Sequence, residues 1–559
     1  MKKQQNLKII PLGGQEEVGR NMTAFELGSD IVVLDMGLQF PEEDMPGIDY
    51  IIPDARYLKG REKNIRGVIL SHGHLDHIGA VPHLLPRLGW PMVYASKMTL
   101  ALVRRRLEEA RLLKYLKARE IKSVNEQIVL GGFKINFFAA THSIMDSLGM
   151  ILQTPFVNII HPGDWRYDLN PVSGKPTNFS YLAEYNRKGT PSILMMEALG
   201  STKEGYQIPE KEIYKNIDQI IKQAPGRVIV ATFSSMVERI AWIVNIAEKL
   251  GRKVALDGYS MKVIMEMAKQ FGYAKFNRGT LIDVKNLGSY PDNKIVVICT
   301  GAQGEDRAVL MRIANGEHRQ IRLRKSDTII FSSSVIPGNE RTVQRLKDSL
   351  YRQCDNVFHK EIMDVHSGGH GQIEDIKRLL SEVKPKYLVP VYANHYLLRE
   401  AAKVAKTTGF PSSNIFILDN GSVLEASSQG LKIAEKKLPI EYVFVDGLGI
   451  GDVGEVVLRD RQMLAKDGMF VIVAVVDRQT GKVKGSPDII SRGFVYLRES
   501  KDLLKQTRKK VIEIVDRAAG SGGAVNWSYI KDEIRNKIGG FFYTKTQRRP
   551  MILPVVIEV

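Results

Sequence analysis

The stretch SHGHLDHIG, residues 71–79, decides how the chain is read. It places three histidines and an aspartate in the six positions from His72 to His77, although the 559-residue chain has only 11 histidines. The run RGVIL before it is rich in β-branched and aliphatic residues and reads as a strand, so the histidines fall on a loop with a rigid base. His72 and His74 are two apart and can face one side, while Asp76 and His77 point elsewhere. One loop can therefore serve two cations. Imidazole with carboxylate suits zinc, with manganese as the alternative. Four ligand-type residues in six positions are hard to explain as ordinary core or surface groups.

A site for two cations needs donors from other loops. ATHSIMDS supplies His142 at the end of the run FKINFFAA, and IIHPGDW supplies Asp164 at the end of another. A carboxylate can bridge two cations, one oxygen on each, and the pair acidifies a water between them into a nucleophile.

The length implies two to four domains. Hydrophobic and charged contents of 44% and 25% are those of a soluble globular protein. The first residues, MKKQQNLKII, lack the apolar run of a signal peptide, and no stretch is apolar enough to span a membrane. A cytoplasmic protein with no membrane partner is expected. Cys299 and Cys354 belong to no CxxC pattern and read as two buried thiols. Lys and Arg exceed Asp and Glu by 18 charges, which points to a polyanionic partner, nucleic acid or a membrane surface.

LKIIPLGG, IVVLDMG, RGVILSHGH, PMVYAS, FKINFFAATHS and VNIIHPGD read as strands, with ALVRRRLEEARLLKYLKA as a charged helix among them. From about residue 205 the rhythm becomes a regular strand–helix alternation through RVIVATF, KVALDG, KIVVICTG and TIIFSSS, which predicts a parallel sheet with crossover helices. KPKYLVPVYA and NIFILDNGS follow as strands. DGLGIGDVGEV reads as a linker or sharp turn. A small α+β unit closes the chain, with strands MFVIVAVVD, RGFVYLRE and MILPVVIEV and a helix over 501–518.

The order His-x-His-x-Asp-His, then His, then Gly-Asp, resembles the metallo-β-lactamase superfamily. That resemblance implies an α/β fold, a four-layered αβ/βα sandwich. It implies His72, His74, His142 and Asp164 on one metal, and Asp76, His77 and Asp164 on the other. Glu197 in ILMMEALG, with His366 and His370 in DVHSGGHGQIED, resembles the β-CASP nucleases, in which an α/β domain is inserted in the sandwich. By that match Glu197 and His370 are the acid pair that protonates the leaving oxygen. A carboxylate beside an imidazolium raises its pKa and keeps it able to donate.

ATFSSMVERI, ICTGAQGEDRAVLMRIANGEH, IIFSSSVIPGNE, DGLGIGDVGEVVLRDRQMLAKDG, PDIISRGFVYLRES and RRPMILPVVIEV resemble the ribonuclease J family, and the likeness runs from IIPLGGQEEVGRNM to the last residue. The division this implies is 1–205 and 375–445 for the metallo-β-lactamase domain, 206–374 for the β-CASP domain, 446–462 for a linker and 463–559 for a small C-terminal α+β domain. The resemblance also implies 5′-to-3′ exoribonuclease and endoribonuclease activity in RNA maturation and decay, with Asp76 orienting the nucleophile. It implies two zinc ions, single-stranded RNA with a 5′ monophosphate, a homodimer or homotetramer, and RNA-decay partners. A pocket for the terminal phosphate is expected at Ser234, Ser235, His366, Ser367, Gly368, Gly369 and His370, where serine and glycine backbone groups suit phosphate.

Two places depart from the family. Tyr392-Ala393-Asn394-His395 stands where the family has His-Gly-Glu-Tyr, and the family's histidine there ligates the second metal. If the chain turns helical at that point, His395 is one turn on and can take over as ligand. DGYSM replaces Gly-Arg-Ser-Met, with Tyr259 for arginine, which removes a charge that can contact RNA. Two other classes compete. A small-molecule metallohydrolase shares the loops but has no use for an inserted domain or the positive charge. A catalytically weakened RNA-binding scaffold has Tyr392 as its one support.

Overall fold

The computed structural model describes residues 6–42, 44–168, 171–172, 176, 179–187, 189–305, 308–336, 339–447, 449–495, 500–519 and 526–559. These form two compact units, one from the residues up to Phe40 with Ile51–Tyr442, the other from Pro41–Tyr50 with Val443–Val559.

The first unit is built on two facing sheets. One has eight strands in the order Gly430–Ile433, Leu424–Ser427, Leu7–Gly13, Met22–Leu27, Asp30–Leu34, Ile65–Ile69, Val93–Ala95, Ala118–Glu120. The other has six, in the order Tyr387–Val391, Ser192–Glu197, Asn158–His161, Leu148–Gln153, Phe133–Ala139, Gln127–Leu130. Side chains alternate across a strand, and here the alternation divides two cores. Ile135, Phe137, Met150, Leu152, Ile159, Ile193 and Met195 meet Leu7, Phe25, Val32 and Ile69 of the facing sheet. Phe138, Ile151, Ile160, Leu194 and Met196 point the other way, onto helices Phe179–Leu182, Ile373–Val383 and His395–Thr407. Helices Val81–Arg87 and Lys97–Glu109 flank the eight-stranded sheet and bury Leu84, Leu85, Val103 and Leu107. The result is the four-layered αβ/βα sandwich.

A third sheet has six parallel strands, Leu281–Ile282, Lys253–Asp257, Ile295–Cys299, Val228–Thr232, Thr328–Ser332 and Asn356–Phe358. Both its faces are covered: Val228, Val230, Val296 and Ile298 lie in one core, Ile229, Ala231, Val297 and Cys299 in another. Continuous apolar strands are what a sheet buried on both faces requires. Cys299 and Cys354 are buried and free. Among the described residues no helix is long and apolar enough to cross a membrane.

In the second unit, strands Asp488–Arg492, Met469–Val476 and Met551–Glu558 form a sheet in that order. Phe470, Ile472, Ala474 and Val476 pack with Ile530, Ile534, Ile538 and Phe542 of helix Trp527–Thr546 and with Val511 and Val515 of helix Lys501–Ala519.

Four local expectations change. The charged helix ends at Glu109, because Arg111 takes a left-handed φ of 60°, and a 3-10 turn and a short strand follow. NIFILDNGS makes a single bridge, Ile415 to Leu388, rather than a strand. The stretch 446–462 read as a linker contains strand Gly449–Ile450 and the first turns of helix Glu455–Asp467. The expected strand RGFVYLRE is shifted to Asp488–Arg492, and its residues 496–499 lie outside the described residues.

Candidate metal centre

Strand Ile65–Ile69 delivers Ser71–His74, and the one-turn helix Leu75–Ile78 carries Asp76 and His77. Backbone bonds pin this turn. Asn21 N–H donates to the Asp76 carbonyl at 3.0 Å, Met36 N–H to His77 at 2.7 Å, and Leu38 N–H to Leu75 at 2.9 Å. Gly37 makes the approach possible, since a Cβ there would lie 1.5 Å from the Asp76 oxygen. The other residues sit just beyond strands that run in one direction: His142 after Phe133–Ala139, Asp164 after Asn158–His161, Glu197 at the end of Ser192–Glu197, Tyr392 after Tyr387–Val391.

These residues converge on one atom, Oδ2 of Asp164. His72 Nε2 is 3.8 Å from it, His142 Nε2 3.7 Å and His77 Nε2 3.5 Å. His74 Nδ1 lies 3.1 Å from both His72 Nε2 and His142 Nε2. Two groups with metal-ligand geometry result, His72–His74–His142–Asp164 and Asp76–His77–Asp164. The expectation of one aspartate oxygen per cation does not fit this arrangement: Oδ2 faces both groups, and the buried Oδ1 has no hydrogen-bond partner among the described residues. Burial alone would raise the Asp164 carboxyl, but His77, whose imidazolium is favoured by Asp76, Asp164 and Asp35, holds it well below the usual carboxylate range. Burial pushes His72 and His142 well below the usual imidazole range, so they are neutral and able to ligate.

The ring nitrogens behind the site fix which atom faces it. His72 Nδ1–H reaches Ser71 Oγ at 3.0 Å, which itself donates to Asp35 at 2.9 Å. His77 Nδ1–H donates to Asp35 Oδ2 at 2.8 Å, and His142 Nδ1–H to the Gly369 carbonyl at 2.8 Å. All three rings therefore turn Nε2 toward Asp164, the outer-shell arrangement typical of metal-ligating histidines. The donor set, imidazole nitrogens and carboxylate oxygens at mutual ligand spacing, fits divalent cations.

His370 Nδ1 stands 3.3 Å from Glu197 Oε2 and 4.0 Å from Asp164 Oδ2. Burial works against the imidazolium, but Glu197 and Asp164 together more than offset it and lift His370 to about 9. Glu197 is buried, raised by desolvation, and accepts the Leu199 N–H. The His370 side chain keeps about 29% of its surface open.

The loop carrying His370 is held by residues that sequence reasoning missed. Gln207 Nε2 donates to Ser367 Oγ at 2.8 Å and to the Gly368 carbonyl at 3.1 Å; Arg166 Nη1 reaches the same carbonyl at 3.4 Å. Behind them Arg239, fully buried, donates to Glu210 at 2.7 and 2.9 Å and to His366 Nδ1 at 2.7 Å. Of the expected phosphate-binding residues, His366 is thus committed to Arg239, and Ser367 Oγ donates to the Ile208 carbonyl at 2.5 Å. The Gly368 and Gly369 carbonyls are also taken. Ser234 and Ser235 are half-buried at the carboxyl end of strand Val228–Thr232. Asp35 and Asn21 were missed as well. Asp35 had a signal, an aspartate closing a strand in VVLDMG; Asn21 and the buried arginines had none without the fold.

The structure does not bring His395 to the centre. Tyr392 takes φ 62°, helix His395–Thr407 begins at His395, and the imidazole emerges 53% exposed, 3.5 Å from Asp419 and grouped with Glu16. Tyr392 stays inside. Its ring lies 5.3 Å from that of His77 and 5.1 Å from that of His161, and its hydroxyl donates to Asp35 at 3.4 Å. Burial pushes its phenol well above the usual value. Tyr259 is 77% exposed, with the Arg105 guanidinium 5.3 Å over its ring.

A sandwich with this His/Asp centre at one rim and an accompanying parallel-sheet domain defines the metallo-β-lactamase class with an inserted β-CASP domain. Family models agree: the beta-lactamase superfamily domain matches residues 46–171, the Ribonuclease J beta-CASP domain 225–350, and the Ribonuclease J C-terminal domain 456–559. The chain is 36% identical over 558 residues to Ribonuclease J2 of Bacillus subtilis (strain 168), covering 100% of both chains. It is 36% identical over 555 residues to Ribonuclease J 1 of Streptococcus pyogenes, covering 99% of this chain and 98% of that one. A solved structure of a protein of unknown function from Enterococcus faecalis V583 shares the fold, with TM-score 0.52, 16% identity, and coverage of 75% of this chain and 100% of that chain. The chain belongs to the ribonuclease J family.

Because Asp35 orients His77 directly and His72 only through Ser71, Asp35→Ala should weaken binding of the second cation about 10- to 100-fold and of the first by less. Competition with a chromophoric chelator measures both affinities.

Proposed function

We propose that the protein is a metal-dependent ribonuclease that cuts single-stranded RNA, as a 5′-to-3′ exonuclease with endonuclease activity, in RNA maturation and decay in the cytoplasm. The observation that carries this reading is the convergence of two ligand groups on Asp164 Oδ2 with the His370–Glu197 pair 4.0 Å away. His72, His74, His142 and Asp164 would hold one zinc ion, and Asp76, His77 and Asp164 the other, with manganese as the alternative. Bound there, divalent cations acidify water and neutralise charge on a phosphate.

The chain's own residues supply the rest. Glu197 keeps His370 protonated, and the part-exposed imidazolium, 4.0 Å from Asp164, is placed to give its proton to the departing 3′ oxygen. Asp76, 36% exposed at the same rim, is placed to orient the nucleophile. The 5′ phosphate is assigned to the Ser234–Ser235 turn, which adjoins the His370 loop through the 6.3 Å contact of Phe233 with His366. Tyr259 with Arg105 offers a base-stacking face and returns the charge that Tyr259 lacks. The excess of 18 positive charges supports sequence-independent affinity for RNA.

A homodimer or homotetramer is supported by the C-terminal sheet. Its outward face carries Leu553, Val555, Ile557 and Ile490, each 40–45% exposed, beside Val471, Val473 and Val475. An apolar face of this kind marks an interaction surface. RNA-decay partners are the alternative users of it. The domain division proposed keeps the sequence boundaries at 205 and 374 and starts the C-terminal domain near 443, with helix Glu455–Asp467 inside it rather than a separate linker.

Two experiments test this reading. A 5′-monophosphorylated RNA labelled at its 3′ end should be degraded from the 5′ end, and faster than its 5′-hydroxyl counterpart. His370→Ala should lower the rate about 100- to 10,000-fold with metal content unchanged, and Glu197→Gln should follow it in direction. An intact substrate with fully metallated wild type contradicts the reading. Separately, Val555→Glu should shift the sedimenting species toward monomer without lowering metal content.

A further inference from the structure

The two ligand groups are unequal. The first has four protein donors, the number zinc takes in closed sites; the second has three, Asp76, His77 and Asp164. His395 is not among them, and Tyr392 turns its hydroxyl away onto Asp35.

The gap beside the three donors holds a side chain, that of Asn21. Its Nδ2 lies 3.1 Å from His77 Nε2 and 3.4 Å from Asp76 Oδ2. Asp76 Oδ2 and His77 Nε2 are themselves 3.4 Å apart, and His77 Nε2 and Asp164 Oδ2 3.5 Å. Ligands about 2.1 Å from one ion in a tetrahedron are about 3.4 Å from each other. Asn21 therefore places its terminal atom at ligand spacing from two of the three donors. The other arm of the amide, Oδ1, is buried and has no hydrogen-bond partner among the described residues. It faces Gly14, where a Cβ would lie 2.4 Å from Oδ1 and 3.1 Å from the Tyr392 ring. Asn21 is 2% exposed, and its backbone N–H is tied to the Asp76 carbonyl, so the side chain cannot drift from the site.

An N–H group aimed at a cation's donors repels the cation; a carbonyl oxygen in the same place binds it. A carboxamide carries both at nearly the same shape, and half a turn about its last bond exchanges them.

We propose that Asn21 is the fourth protein ligand of the second cation, its amide turning over so that Oδ1 takes the position Nδ2 now holds. This rests on the reading of the centre as a two-cation site. No bond is made or broken in the protein; a neutral oxygen joins two carboxylates and an imidazole. The second cation is thereby held by a swivelling neutral donor, which makes it the weaker and more exchangeable of the two.

The test uses the full chain and Mn2+ alone, with free ion followed by electron paramagnetic resonance during titration. The wild type should bind two ions, one tight and one weaker. Asn21→Ala should keep the tight ion, which also reports an intact fold, and bind the second at least tenfold more weakly. Asn21→Asp keeps an oxygen and adds charge, and should bind the second ion more tightly than the wild type. Unchanged binding of two ions by Asn21→Ala overturns the proposal. So does weaker second-site binding by Asn21→Asp, which loses the amide N–H now given to His77 and sets a second carboxylate against Asp76. Absence of any tight ion in the wild type would instead overturn the two-cation reading itself.

Discussion

Everything at the centre is arranged around one carboxylate oxygen. Asp164 Oδ2 has His72, His77 and His142 within 3.8 Å and His370 at 4.0 Å, in a pocket where Asp164 is 3% exposed. A buried anion is costly unless it is paired. Here the facing His77 imidazole, raised despite its burial well above its usual range by Asp76, Asp164 and Asp35, offsets that cost. The same atom sets how near the two ligand groups and His370 stand to one another.

The strength of that constraint depends on rigidity behind it. Asp35, Ser71 and the Gly369 carbonyl take the rear nitrogens of the three histidines, so each ring has one orientation. The Gly369 loop is in turn tied, through His366, to Arg239 and Glu210 beside the parallel sheet. Pairing buried arginine with glutamate is weak support for stability, but it fixes position, because breaking one partner strands the other. The parallel-sheet domain and the sandwich thereby share one loop. Displacement of either would be felt at His142 and His370 together.

Sequence made much of this legible and left a definite remainder. Period-two patterns found most strands of the sandwich, and the dense His72–His77 loop announced the metals. The pattern failed where tertiary context chose: Arg111 ended a helix that looked continuous, and NIFILDNGS became an extended segment with one bridge. His395 looked available at helical spacing from Tyr392, but the left-handed turn at Tyr392 and the helix start at His395 send it outward. Asn21 and Arg239 carry no local signature. Their roles come from chain segments that only the fold brings to Asp76 and His366. The Tyr392 departure, read in isolation as lost function, is accompanied by a tightly placed amide that the sequence could not have revealed.

The most direct test of the account is removal of the shared oxygen. Asp164→Ala should lose both ions in the same titration and abolish RNA cleavage, since neither ligand group is complete without it. Retention of one ion at wild-type affinity, or cleavage of 5′-monophosphorylated RNA at an undiminished rate, would contradict it.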